Sequence, residues 1–235
     1  GTLYTAGVGT IGVDSDGWIA FSTGTITMTG TTAGGSWVTA SDHTGVYLNG
    51  TGNNNGFCGF NSDVEEQVFA NFTGTSTSGS PTITAVSDFT NIRNGLRLSG
   101  TGIPDGTVVN SFNAAAQTIT MSSNATASGS TTITPRSSVY AFLRGIAPYR
   151  QFVIQWTRVS RYSAVTGDDF SFQLVLNEGG GVATYQTLQA VYGTLTTSNA
   201  GTQNAQVGLR GNTAADFNAR TTAANWSATT AAGAN

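Results

Sequence analysis

The sequence predicts an all-β protein: a β-sandwich host domain of jelly-roll or immunoglobulin-like two-sheet type, with a small β module inserted into it. Three observations carry that expectation. Short β-branched or aromatic runs bounded by Gly, Asn or Asp recur along the whole chain. Helical periodicity barely registers; residues 214–224 alone offer a helix, and Asp216-Phe217-Asn218 reads equally well as an irregular turn. Finally, 39 Thr and 22 Ser mean that 61 of 235 residues carry a hydroxyl. Thr favours strands, and these hydroxyls wet a surface on which charged residues are only 9% of the chain.

Near the start, Asp14-Ser15-Asp16-Gly17 separates Ile11 and Val13 from Trp18, Ile19 and Phe21. The Asp-Gly pair predicts a hairpin with a type I′ turn. Residues 26–29, 46–48, 152–156 and 170–176 read as further strands. In the last, Phe170, Phe172, Leu174 and Leu176 point one way, while Ser171, Gln173 and Val175 point the other. That alternation predicts one buried face and one half-wet face. Trp18 and Trp156 sit among apolar neighbours and read as core. Glu178-Gly179-Gly180-Gly181 predicts a loose turn.

Residues 71–135 are richer still in Ser, Thr and Gly, and contain strand-like pieces at 82–86, 96–99, 107–112, 118–122 and 131–134. Turn signals separate them, as at Asn94-Gly95 and Pro104-Asp105-Gly106. The ends of this stretch, 74–79 and 127–130, read as linkers. The expected organisation is therefore a host of residues 1–70 and 136–235 with an inserted module of 71–135. A hairpin tip is where a fold tolerates insertion best.

Nine Arg and no Lys stand against nine Asp and three Glu, giving a net charge of −3. With no basic cluster, nucleic acid and anionic lipid are not expected partners. Apolar runs extend for a few residues only, so no membrane insertion is expected. Gly1-Thr2-Leu3 has neither a basic nor an apolar leader region, so no signal peptide is expected there. Low charge with abundant Thr, Gly and Asn favours an extracellular or cell-surface location. Cys58, between Phe57 and Phe60, reads as a small buried hydrophobe. His43 is the sole histidine, and a zinc site or Ser-His-Asp triad would have to use it. Arg144, Arg150, Arg158 and Arg161 are expected to pair with carboxylates or carbonyls.

Three stretches, taken in order, carry a resemblance. They are 13–21, then 146–156 continuing to Arg161-Tyr162, then 205–211 followed by Asp216-Phe217-Asn218 and Asn225-Trp226-Ser227. Together they resemble a nidogen-like β-sandwich module of secreted and cell-surface proteins of Bacteroidota-type bacteria. Ser99-Gly100-Thr101-Gly102-Ile103-Pro104-Asp105-Gly106-Thr107 is similar to a short β repeat of phage tail fibres and bacterial adhesins. The resemblance implies an extracellular sandwich and brings no catalytic residues. Such modules have further strands before the position matching Leu3-Tyr4 and after that matching Trp226, which implies an open sheet edge here.

Candidate sites are few. Asp14 and Asp16, with Asp42 or Asp63, offer hard oxygen ligands for calcium, the one cofactor the sequence raises. The pattern opens like an EF-hand loop, but Thr25 stands where the bidentate Glu belongs, and a hairpin turn explains Asp16-Gly17 more simply. Glu65 and Glu66 are adjacent, so on a strand they face opposite ways and make no acid–nucleophile pair. Asp168-Asp169 reads as loop polarity. No catalytic set and no enzyme activity are expected. Trp37, after Gly34-Gly35-Ser36, is the aromatic least tied to a core and the first candidate for glycan stacking.

Residues 1–13 are small, partly alternating and lack Lys, with Leu3, Tyr4, Val8 and Ile11 able to fill a groove as an assembly strand. The expected function is a non-enzymatic extracellular structural or adhesive protein. It would be a self-assembling subunit of a surface filament, joined by β-strand addition to copies of itself or to neighbouring domains of a longer chain. The alternative is a carbohydrate-binding module of a secreted bacterial protein.

Overall fold

The computed structural model describes residues 10–13, 17–22, 56–61, 64–161, 168–179, 187–196, 206–211, 217–221 and 230–231. Among them every regular element is a β-strand. In order these are β1 (Thr10–Val13), β2 (Trp18–Ser22), β3 (Gly56–Asn61), β4 (Val64–Glu65), β5 (Phe72–Ser76), β6 (Thr82–Ile83), β7 (Arg97–Gly100), β8 (Val109–Asn113) and β9 (Thr118–Met121). They continue with β10 (Gly129–Arg136), β11 (Ser138–Arg144), β12 (Gln151–Arg161), β13 (Asp169–Asn177), β14 (Thr187–Thr196), β15 (Gln206–Arg210), β16 (Phe217–Thr221) and β17 (Thr230–Ala231). The chain divides into two compact units. One comprises Gly1–Glu65, Ala141–Ile154 and Ser160–Asn235, the other Glu66–Tyr140 and Gln155–Val159.

The first unit is built on two sheets. One has the order β1-β2-β3-β15-β16-β17; the other has β11-β12-β13-β14, with β4 on β12. The β1–β2 hairpin forms as the alternation requires, with Ile11 opposite Phe21 and Val13 opposite Ile19. That register leaves residues 14–18 between the last paired positions, too long a connection for the expected two-residue type I′ turn. The offered helix at 214–224 is corrected where it is described: 217–221 is β16, paired with β15. Its Ala and Asn content gave no strand signal, and the neighbouring strand's open edge decided the matter.

The two sheets meet face to face through β3 and β13, which makes this unit a β-sandwich. The Phe60 ring lies 5.2 Å from that of Phe170 and 5.4 Å from that of Phe172, both tilted. Gly59 has no side chain because Leu174 occupies its space: a Cβ there would stand 2.2 Å from Leu174 Cδ2. Gly17, at φ +89°, lets the chain pass the Phe60 carbonyl, where a Cβ would come within 2.2 Å of the oxygen. Phe60, Phe170, Phe172 and Leu174 are all buried; each contributes about 1.5–3 kcal/mol on leaving water. The alternation of β13 holds for these residues, but Val175, expected on a half-wet face, is fully buried as well. Trp156, which falls in the second unit, is buried, as its apolar strand implied.

The second unit holds two three-stranded sheets, β5-β10-β7 and β6-β9-β8. Its core gathers Phe72, Ile83, Ile92, Leu96, Leu98, Ile119, Met121 and Ile133. The segments expected to be linkers lie partly in strands, 74–76 in β5 and 129–130 in β10. Gly129 pairs with Ser76, Ser130 with Thr75 and Thr131 with Gly74, so β5 and β10 form one antiparallel ladder. Small hydroxyl residues carry no hydrophobic alternation, but backbone pairing does not need one. The expected strand 82–86 shrinks to β6 as Ala85 turns to φ +50°. Arg158 anchors this unit. Its guanidinium lies 4.1 Å from the Phe69 ring centroid, and its Nη1 donates to the Asn91 carbonyl at 2.8 Å.

Candidate functional site

The most exposed of the large apolar side chains among the described residues sit on the β11–β12 hairpin end of the first unit. Gly145, at φ +80°, turns the chain where a Cβ would come 2.7 Å from the Tyr149 carbonyl oxygen. The Tyr149 amide closes the turn by donating to the Ile146 carbonyl at 2.8 Å. With no room inward, Leu143, Ile146 and Tyr149 project into water, 69%, 81% and 69% exposed.

Beneath this tip lies a chain of planar polar groups. Arg150 forks onto Glu178: its Nε donates to Oε2 at 2.8 Å, its Nη2 donates to Oε1, and its backbone amide donates to Oε2 at 3.1 Å. The Glu178 amide returns a bond to the Arg150 carbonyl at 2.9 Å. Alongside, Arg144 Nε donates to Gln151 Oε1 at 2.6 Å, and the Gln151 amide donates to Asn177 Oδ1. Asn177 Nδ2 in turn reaches Thr187 Oγ1 at 3.0 Å. β12 and β13 are neighbours in their sheet, and these bonds hold residues 150–151 beside 177–178.

The charge state of this network is fixed too. The hydrogen bond from Arg150, above all, holds the Glu178 carboxyl down to about 2. Glu178 in turn raises the Arg150 guanidinium above its ordinary value. A carboxyl held this low is ionised near neutral pH. The network holds no second carboxylate. Its chemistry is that of a rigid array of donors and acceptors.

A second surface is the edge of the same sheet. β14 pairs with β13 from Asn177–Thr187 to Asp169–Thr196, with a bulge between Phe170 and Phe172. It is ten residues long, carries no charge, and ends its sheet among the described residues. Its alternate residues face outward, Val191 at 45% exposure. Tyr192 faces inward and donates from Oη to the Gly59 carbonyl at 2.6 Å, fastening β14 to β3.

The residues singled out from sequence fall variously. Leu3, Tyr4, Val8, Asp14, Asp16, Trp37, Asp42, His43 and Asp63 lie outside the described residues. Ile11 is in β1 opposite Phe21. Cys58 is a buried thiol on β3. Glu65 lies in β4, while Glu66 faces Arg136 Nη1 at 3.9 Å. Asp168 is not loop polarity but buried, and Asp169 opens β13. Among the described residues no three His, Cys, Asp or Glu side chains converge as metal ligands. The Arg set behaves as expected for Arg144, Arg150 and Arg158, whose partners are an amide oxygen, a carboxylate and a carbonyl. Sequence reasoning passed over Tyr149, Gln151, Asn177 and Glu178 as site residues.

Among the described residues, paired sheets around an aromatic core define an all-β sandwich. Residues 111–235, more than half of the chain, match the family described as NIDO related, and the chain belongs to that family. Membership points to an extracellular domain. No curated protein and no solved structure matches the chain. Among the described residues no helix is long and apolar enough to cross a membrane.

Proposed function

We propose that this chain is a non-enzymatic structural or adhesive domain of a bacterial surface protein, and that it assembles by strand addition at the outer edge of β14. One observation carries the reading: a ten-residue uncharged strand at the edge of its sheet, pairing on one side among the described residues. Such an edge presents a row of backbone donors and acceptors that templates another strand. Natural edges are commonly guarded by Lys, and this chain has none. The Tyr192 tether to Gly59 keeps the edge in place, so little ordering entropy opposes docking. Of the uncharged 1–13 segment, residues 1–9 of a second copy are the donor, through Leu3, Tyr4 and Val8; residues 10–13, Ile11 among them, are engaged in their own sheet as β1.

The test is light scattering on the full chain at rising concentration, for wild type and for Gln189→Lys/Val191→Lys. Both side chains face outward, so the variant should melt with the wild type. Concentration-dependent association in the wild type, lost in the variant, is expected. A wild type that stays monomeric at high concentration, or a variant that associates equally well, would overturn the reading.

A further inference from the structure

The geometry points to a binding site for an acidic sugar on the outer face of the second unit, where Arg97 on β7 and Arg136 on β10 stand directly opposite each other. Their strand neighbours Leu98 and Pro135, also opposite each other, are buried, so the alternation of the strands turns both guanidiniums outward. Side chains at such positions leave Cβ atoms about 5 Å apart, and like charges there repel. The acids nearby relieve this only in part. Arg97 Nη2 donates to Asp105 Oδ1 at 2.6 Å, while its Nε is shut off from water without an acceptor. Arg136 Nη1 lies 3.9 Å from Glu66 Oε1, beyond the reach of a hydrogen bond. Of the arginines whose side chains are described, Arg136 alone makes no hydrogen bond.

Two adjacent guanidiniums with unspent donors call for an anion, and a carboxylate takes two parallel N–H bonds from one of them. Glu66 and Asp105 each reach a single guanidinium and neither bridges the pair. Those two acids disfavour a densely charged polyanion more than a chain that bears one carboxylate per sugar. Next along the same outer face, the half-buried Ser99 and Thr134 form the adjoining opposite pair. They stand two residues, about 7 Å, from the arginines. That suits a hexuronate, whose carboxylate would fork onto Arg136 while hydroxyls across its ring meet groups that both donate and accept. An acidic peptide brings the carboxylate without those ring hydroxyls. No basic cluster shows in the sequence, because the two arginines meet only through the β7–β10 register.

The experiment is calorimetry on the full chain at low salt with three probes: a short oligogalacturonate, the neutral galactose oligomer of equal length, and poly-glutamate. The oligogalacturonate should bind, more weakly as salt rises, and the other two should bind at least about tenfold more weakly. Arg136→Gln should weaken oligogalacturonate binding about tenfold or more, and Ser99→Ala/Thr134→Val about threefold. Arg136→Gln also removes the repulsion across the ladder, so it should melt no lower than the wild type. Glu66→Gln should bind at least as tightly as the wild type, since it removes a competing acid. No binding of the oligogalacturonate by the wild type would overturn the proposal, as would equal binding of the neutral oligomer or of poly-glutamate. So would Arg136→Gln binding within about twofold of wild type, or a loss in Glu66→Gln equal to that in Arg136→Gln, which would make the ion pair and not the free guanidinium the important feature.

Discussion

Gly59 and Leu174 form the point where the two sheets of the sandwich interlock, and a double-mutant cycle there measures the interlock directly. Leu174 is fully buried, so Leu174→Ala should cost about 3–4 kcal/mol through lost transfer energy and a residual cavity. Gly59→Ala places a methyl 2.2 Å from Leu174 Cδ2 and 3.3 Å from Cγ, where ordinary contact begins at 3.4 Å. Leu174 must retreat by more than 1 Å in a packed layer, an overpacking cost of about 1–3 kcal/mol. In Gly59→Ala/Leu174→Ala the added methyl enters the vacated space, and its next neighbour, Ala190 Cβ at 3.6 Å, is in ordinary contact. The clash disappears and the cavity shrinks. The double variant should therefore lose about 2–3 kcal/mol, less than Leu174→Ala alone, with a coupling of about 3 kcal/mol. Equilibrium urea unfolding of all four proteins reads this from the transition of the sandwich unit. Additivity within about 0.5 kcal/mol would refute the interlock, because it would mean that the two side chains do not share one space.

Two further outcomes follow from the geometry. Ile133 is fully buried in the core of the second unit, so Ile133→Ala should destabilise that unit by about 2–5 kcal/mol in the same urea assay. Glu178 titrates at about 2 in the folded chain against 4.5 ordinarily; its folded value is depressed, so its contribution is complete above pH 4.5 and is lost as pH falls through 2. The melting-temperature difference between wild type and Glu178→Gln should be constant above about pH 5 and shrink toward pH 2; a difference independent of pH would exclude the ion pair as its source.

Much of the sandwich was legible because its signals are local. The alternation Phe170, Phe172, Leu174 is a property of seven consecutive residues, and it survives in the burial of β13. The β1–β2 pairing likewise follows from apolar residues flanking an Asp-Gly turn signal. What failed was the reading of β5 and the start of β10 as linkers. Their Thr, Ser and Gly look flexible in isolation, yet Ser76 is buried and its Oγ donates to the Ala127 carbonyl at 2.8 Å, 51 residues away. A strand whose stability comes from a distant partner leaves little trace in its own composition. Val175 failed for a related reason: alternation says which way a residue points, while the neighbouring layer decides whether that side is covered.

The hairpin site was illegible for a sharper reason. Arg150 and Glu178 are 28 residues apart, as Gln151 and Asn177 are 26 apart, and no spacing rule ties them. Only the antiparallel register of β12 beside β13 brings them into line, and once there each fills the other's hydrogen-bonding valences. Tyr149 drew no notice because Pro148-Tyr149-Arg150 has the composition of any turn. Its exposure comes from the backbone, where the left-handed Gly145 and the Tyr149–Ile146 closure leave no inward direction for the ring. By contrast the pattern of β14, the last strand of its sheet among the described residues, was legible in principle. Leu188, Ala190 and Tyr192 alternate with Thr187, Gln189 and Val191, and the pattern slips at Gly193-Thr194, where two residues of β14 lie opposite Ser171 alone. The bulge keeps Leu195 on the inner face, in pair with Phe170, so the strand stays half-buried along its length. A sequence with no Lys and so few charges puts nothing on that strand to repel a second one. The same scarcity of charge that makes hydroxyls wet the surface also leaves β14, the last strand of its sheet among the described residues, without a charged side chain.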